Sequence, residues 1–515
     1  MRIRLRSHLL TALAAAACAG TFGATPAIAD WTASRAVEPG VDPVLSFGPS
    51  GDAAIGSTVF SPCADPIGTY LSLRPARGEF GPAASLAARH GNCGEWPSLQ
   101  AIALPPDGAT VALFGPLGAD EEPIDAFVRA SGARGFGASQ QLVPLGDATG
   151  DAVLPDATAV VDTARGEVVE VGEDDATNVS TATLAPGSTQ FTVSRGAPRG
   201  LTQSDLIELA TDGAGGSFMA GDGTNGCTIL AYRPAHGAFA TTYRSNVCGD
   251  RLRSVVQGIA ASGHGYAALL TESLDETGTG TSSLLIQVGR FGRFRAPTVL
   301  SSVVGRPFGV ATGRDGAATV AWTGCTPGPV IDDLRTLHSC NVYAETGTLT
   351  RGFTGQPALI APAAPGVRLD AAVADRAVAV RRCARGRRCT IGVAVARGRS
   401  GGRGPGRGRG RERGRGRGRE GFAPLQRVTS GGRGLVTLQS DGRGDLIVVW
   451  SNYRGTLYAA TRAASARRFS APHRLSGAGV NPASATAAFG PDGEAVVAWS
   501  QSGQTMAAVY SLPAR

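Results

Sequence analysis

The chain contains no lysine, and all 49 of its basic residues are arginine. A GC-rich coding bias accounts for that better than selection for guanidinium groups. It also has no apolar run of about 18 residues, so no segment reads as a membrane-spanning helix. Local catalytic signatures are missing. There is no Gly-x-Ser-x-Gly elbow, no phosphate-binding loop, no Cys-x-x-Cys pair and no aligned calcium loop. Ser440-Asp441-Gly442-Arg443-Gly444-Asp445 comes nearest to such a loop, but it has too few aligned oxygens and an intruding arginine. The histidines (His8, His90, His236, His264, His338 and His473) show no zinc spacing. No metal or cofactor is therefore expected. Helix-period patterns are scarce as well, whereas turn punctuation is dense, with 73 glycines and 31 prolines. That is the profile of an all-β chain with many tight turns.

The net charge of +8 is unevenly spread. Residues 397–420 hold ten Arg and two Glu, and the first residues add Arg2, Arg4 and Arg6. Without these two segments the rest sums to 8 − 8 − 3 = −3, a near-neutral body unlike a nucleic-acid-binding surface. The basic start, the apolar stretch from Leu9 to Ala17 and the small-residue site Ala27-Ile28-Ala29 predict a secretory signal peptide over 1–29. Lipidation at Cys18 fits less well, because only alanines precede it. The expected location is secreted, extracellular or attached to the cell envelope.

An internal repeat organises the remainder. Phe489-Gly490-Pro491-Asp492-Gly493 before the apolar run Ala495 to Trp499 echoes Phe47-Gly48-Pro49-Ser50-Gly51 before Ala53-Ala54-Ile55. Anchors of the same kind fall at 51, 108, 157, 215, 265, 316, 376, 444 and 493. An aromatic marks a later strand in each copy: Phe80, Phe136, Phe191, Phe239, Phe294, Phe353, Phe422 and Phe469. Each unit reads as four strands, A to D, with a Gly turn between A and B and the aromatic opening D. Strand B is apolar on both alternating faces, so both faces must be covered, as when blades stack around an axis. The ninth unit lacks strand D, and Asp30-Trp31-Thr32 looks like one. The N-terminal strand is expected to complete the last blade and close the ring. These features predict a β-propeller of eight or nine four-stranded blades spanning 30–515 as one domain, with two smaller rings as the alternative. The repeats resemble propellers in general. The Trp of strand B precedes Thr or Ser (Trp322, Trp450, Trp499), unlike WD40 repeats, and the Ser of the sialidase Asp-box is absent. In pattern the chain resembles exported bacterial propeller-like repeat proteins of unassigned function.

Eight cysteines follow the signal, an even number in an oxidising compartment. Their positions pair Cys63 with Cys93, Cys227 with Cys248, Cys325 with Cys340, and Cys383 with Cys389. All four pairs would brace the face carrying the B–C loops. Residues 397–421 form an Arg/Gly-rich insertion between strands C and D of the seventh unit, expected to be disordered because it has nothing to bury. Arg403, Arg407, Arg409, Arg411, Arg413, Arg415, Arg417 and Arg419 are its candidate polyanion contacts, and a neutral low-complexity expansion is the other reading. It lacks the interleaved aromatics of nucleic-acid-binding RGG segments. The long B–C loop from Thr323 to Ser339 carries the candidate binding residues Asp332, Asp333, Arg335 and His338. Three functions stay open: a non-catalytic binding or scaffold module for a cell-wall glycan or a protein, a polyanion tether displayed on the propeller, and a glycan hydrolase or lyase with acids from several blades.

Overall fold

The structure is a computed structural model. It describes residues 30–511 apart from 60–67, 88–96, 117–123, 144–157, 163–166, 176–177, 195–200, 202–207, 213, 224–225, 236, 246–247, 249–251, 264, 276–282, 302–306, 326–339, 365–366, 385–388, 398–420, 482–483 and 492. The described residues are almost entirely antiparallel β-structure, without an α-helix. Seven of the nine anchors are glycines in turns with φ between +74° and +108° (Gly51, Gly108, Gly215, Gly265, Gly316, Gly444 and Gly493). A side chain is strained in that region, which is why glycine recurs there. Arg376 occupies the equivalent turn in the seventh unit, and the anchor Ala157 lies outside the described residues.

The strands fall into four-stranded meanders, and the chain is a β-propeller. The A strands are Val41–Phe47, Pro97–Ala103, Thr158–Asp162, Glu208–Thr211, Leu252–Ser262, Pro307–Thr312, Val367–Ala374, the second part of Gln426–Ser440, and Ala485–Phe489. Each touches the next in chain order, and the last touches the first. Cyclic contact of this kind leaves no A strand without a neighbour on either side.

Packing follows from the two-sided strand B. In Ala495–Gln501, Val496 and Ala498 pack on Ala53 and Ile55 of the first unit. Val497 and Trp499 pack on Ile447 and Val449 of the eighth. Trp322, Trp450 and Trp499 are all buried, each against the preceding unit. Losing one such ring typically costs about 3–5 kcal/mol.

The aromatic mark proves to belong to the C–D crossover. Phe191 opens its strand, Phe191–Ser194, but Phe80, Phe136, Phe353 and Phe469 precede theirs. The residue after the aromatic donates its N–H to a strand C carbonyl: Gly81 to Leu73 (2.8 Å), Gly137 to Val128 (2.9 Å), Arg295 to Val288 (3.1 Å), Ala423 to Val395 (2.8 Å) and Ser470 to Thr461 (2.7 Å). The frequent proline a little further on has no N–H, so pairing pauses before strand D resumes. Thr32 makes the same bond to Val509 (2.8 Å), which places Trp31 at the aromatic position of the last unit. Arg35–Pro39 then pairs with Gln504–Ser511 as its strand D, so the N-terminal strand completes the last blade.

One junction departs from the repeat. Strand D of the seventh unit runs without a break into strand A of the eighth, as the single 15-residue strand Gln426–Ser440. Its first part pairs with Cys389–Val395 and its second with Leu446–Asn452, and the register shifts around Gly432 and Gly434. The backbone passes close to its neighbour at the bend, where a Cβ on Gly432 would meet Ile391 Cδ1 at 2.6 Å.

Candidate functional site

In a four-stranded meander the B–C turns and D–A connections emerge on one side of the ring, and the A–B and C–D turns on the other. Three disulfides sit on the first side. Cys227–Cys248 ties the start of strand C to the end of strand D, while Cys325–Cys340 and Cys383–Cys389 pinch B–C loops. Disulfides of this kind fit an oxidising, extracellular-type environment. Cys63 and Cys93 lie outside the described residues, as do Asp332, Asp333, Arg335 and His338 of the predicted binding loop.

The glycine bend in Gln426–Ser440 opens a cleft between the seventh and eighth units on this disulfide side. The cleft is a cavity of about 380 Å³ lined by Thr429, Gly431, Trp450, Asn452, Tyr453, Arg454, Tyr458 and Pro472. Gly431 leaves it room, since a Cβ there would meet nothing within 4 Å. On the facing wall the rings of Trp450 and Tyr458 stack with centroids 5.9 Å apart and an interplanar angle of 17°.

The cleft's mouth is built by the turn Asn452-Tyr453-Arg454-Gly455, which joins strands B and C of the eighth unit. Asn452 Oδ1 accepts from the N–H groups of Arg454 (2.9 Å) and Thr456 (3.0 Å), and Gly455 N–H donates to Asn452 O (3.1 Å). Asparagine favours such a turn because its side chain mimics a backbone acceptor. Gly455 has φ +71°, and a Cβ on it would lie 2.6 Å from Val480 O. Two further bonds clamp the turn to the next connection, Gly479 N–H to Arg454 O (2.8 Å) and Val480 N–H to Gly455 O (2.9 Å). Tyr453 and Arg454 are thus displayed outward on a backbone fixed from both sides.

Tyr453 is anchored at its far end too. Its hydroxyl accepts from Cys389 N–H (3.1 Å) and lies 3.3 Å from Cys389 Sγ. The ring therefore reaches across to the disulfide of the seventh unit while remaining 46% exposed. Nothing in the sequence repeat marks this turn as special. The available signal was an Asn-aromatic-Arg-Gly turn.

On the opposite side, Arg397 N–H bonds Gly421 O (2.9 Å) and Ala396 pairs with Phe422. The ends of the Arg/Gly insertion, expected to be disordered, thus belong to a paired hairpin base. Backbone pairing outweighs composition at those two positions. Arg403, Arg407, Arg409, Arg411, Arg413, Arg415, Arg417 and Arg419 lie outside the described residues.

Several carboxyls elsewhere are raised by burial, namely Glu38, Glu208, Glu272 and Asp375. None of them lines the cleft, and among the described residues no carboxylate does. Among the described residues no group of three or more His, Cys, Asp or Glu is placed to hold a metal, and no helix is long and apolar enough to cross a membrane.

No protein-family profile and no curated protein sequence matches the chain. Solved structures resemble it at low identity and with TM-scores below 0.5. The WD40 domain of SCAP from fission yeast is 9% identical with a TM-score of 0.41, the match covering 93% of this chain and 94% of that one. The β-propeller domain of the trilobed protease from Pyrococcus furiosus is 11% identical with a TM-score of 0.33, over 68% and 95%. A prolyl endopeptidase structure is 13% identical with a TM-score of 0.39, over 79% of this chain but 55% of that one, so the chain spans about half its length.

Proposed function

We propose that the protein is an exported, nine-bladed binding propeller without catalytic activity, and that its ligand is a glycan seated in the cleft between the seventh and eighth blades. The observation that carries this reading is the preorganised turn at the mouth, which holds Tyr453 rigid, exposed and beside polar donors. Sugars offer flat C–H faces and a rim of hydroxyls. A fixed aromatic platform flanked by amide and guanidinium groups suits both, with little ordering cost on binding. Export rests on residues 1–29 and on the disulfides.

The test is titration of oligosaccharides from purified bacterial cell wall into the mature protein and two variants. Tyr453→Ala should weaken binding at least tenfold. Tyr453→Phe, which keeps the ring, should bind within a few-fold of wild type. Equal affinity for all three proteins would remove the cleft from consideration. The Arg/Gly insertion is a second candidate, as a polyanion tether, because ten arginines lie between the paired positions Ala396 and Phe422. In that case deletion of 398–420 abolishes a steeply salt-dependent binding that Tyr453→Ala leaves intact.

A further inference from the structure

The wall of the cleft is asymmetric in charge. Among the described residues Arg454 is the one cation that lines it, and no aspartate or glutamate does. Its backbone is pinned on both sides, and its guanidinium forms no ion pair with a described residue. Arginine has five N–H donors and no acceptor, so it cannot serve a hydroxyl that needs to donate. Its planar fork matches a carboxylate or sulfate instead, with short charge-assisted bonds.

The surroundings are cationic as well. Arg433 is exposed on the glycine bend, two residues from Gly431. Arg474 stands opposite Tyr458 in the strand register. The acid on the neighbouring strands, Asp370, is engaged by Arg381 at 3.0 Å, and that arginine also donates to Arg433 O. The local field at the mouth therefore favours a negative group close to an exposed tyrosine ring.

From this juxtaposition we infer that the cleft selects an acidic sugar, whose ring lies on Tyr453 and whose carboxylate or sulfate is taken by Arg454. The inference rests on the reading of the cleft as a glycan site. The test compares two matched pairs of polymers on the full mature chain: polygalacturonate against its carboxyl-reduced form, and dextran sulfate against dextran. The two pairs separate a carboxylate ligand from a sulfate one.

At least one charged polymer should bind ten times more tightly than its neutral partner. Arg454→Gln should erase that preference with an unchanged thermal unfolding midpoint, and Arg454→Lys should restore part of it. The preference should also survive deletion of 398–420. Equal binding of charged and neutral partners would overturn the acidic ligand while leaving the glycan reading in place. The same holds if neither charged polymer binds although Tyr453-dependent binding to wall oligosaccharides persists. A preference that vanishes with the insertion but ignores Arg454→Gln assigns the charge to the insertion and also overturns the inference. Loss of all Tyr453-dependent binding sinks both readings.

Discussion

Two blade junctions of this ring solve the same packing problem in opposite ways. Between the last blade and the first, where Arg35–Pro39 passes through Gly40 into Val41–Phe47, the interface is sealed. Val37, Leu45, Phe47 and Phe80 join the buried Ala53, Ile55, Val496 and Ala498 in one cluster. A buried ion pair, Arg74 to Glu494 at 2.8 Å, spans the junction. Glu38 of the closing strand is also buried here, 4% exposed, and Ser57 Oγ donates to its Oε1 at 2.8 Å while Oε2 has no partner. Between the seventh and eighth blades the backbone is continuous, yet the interface is open at one end. Glycines at the bend leave a cleft there, where side chains would otherwise fill space. Both junctions carry a covalent connection from strand D to strand A; side chains and charge fill the first, and glycines open the second.

The largest effect expected from breaking this contrast is at the sealed junction. Arg74→Met strands Glu494 in a buried site, and loss of one partner of such a pair costs about 3–5 kcal/mol. Urea denaturation should show it as a lower midpoint with an unchanged slope, and replacing Glu494 as well should recover part of it.

Glu38 comes next. Burial pushes its pKa from 4.5 to about 8, against the smaller opposing effect of hydrogen bonds from Ser57 and Ser72. The unfolded chain ionises near 4.5 while the folded chain keeps its proton to about 8, so folding takes up a proton between those values. Stability is then fully present below pH 4.5 and falls as pH rises toward 8. Glu38→Gln should flatten that part of the pH–stability curve and stabilise the protein by up to a few kcal/mol at pH 8, read as a rise in Tm.

Removing disulfides should act by loop length. Loop closure predicts a loss of about 3 kcal/mol for the 21-residue separation of Cys227–Cys248 and about 2 kcal/mol for the 6-residue separation of Cys383–Cys389. The second removal should also lower ligand affinity, because Cys389 positions the Tyr453 hydroxyl. Calorimetry and titration on Cys383→Ser with Cys389→Ser separate the two effects.

The smallest change in stability is expected at the open junction. Gly431→Leu projects into empty space, so it should alter stability by no more than about 0.5 kcal/mol while filling the cleft and abolishing binding. A large loss of stability would show that the cleft is not a void.

Much of the fold was legible in the chain, because propeller units repeat the same local demands. The A–B turn takes glycine at seven of the nine anchors because its φ is positive there, and strand B, covered on both faces, is mostly apolar. Even the split last blade could be read, since Trp31 carries the crossover mark in the wrong place along the chain. The site was less legible. Asn452-Tyr453-Arg454-Gly455 is an ordinary turn sequence, and its neighbours in space, Cys389 and Val480, lie 64 and 27 residues from Tyr453 in sequence. The loop that drew attention instead, around Asp332 and His338, did so by its length and polar content.

The sequence alone determined the blade as a unit, its Gly turns, its two apolar faces and three of its cysteine pairs. These depend on contacts between residues near one another along the chain. Only the tertiary structure decided that a continuous strand would join two blades and bend on glycine, and that the bend would set a tyrosine, an arginine and a disulfide around one cleft. Those partners come from different blades, and the space between blades is set by how two whole sheets pack, a quantity no local pattern encodes.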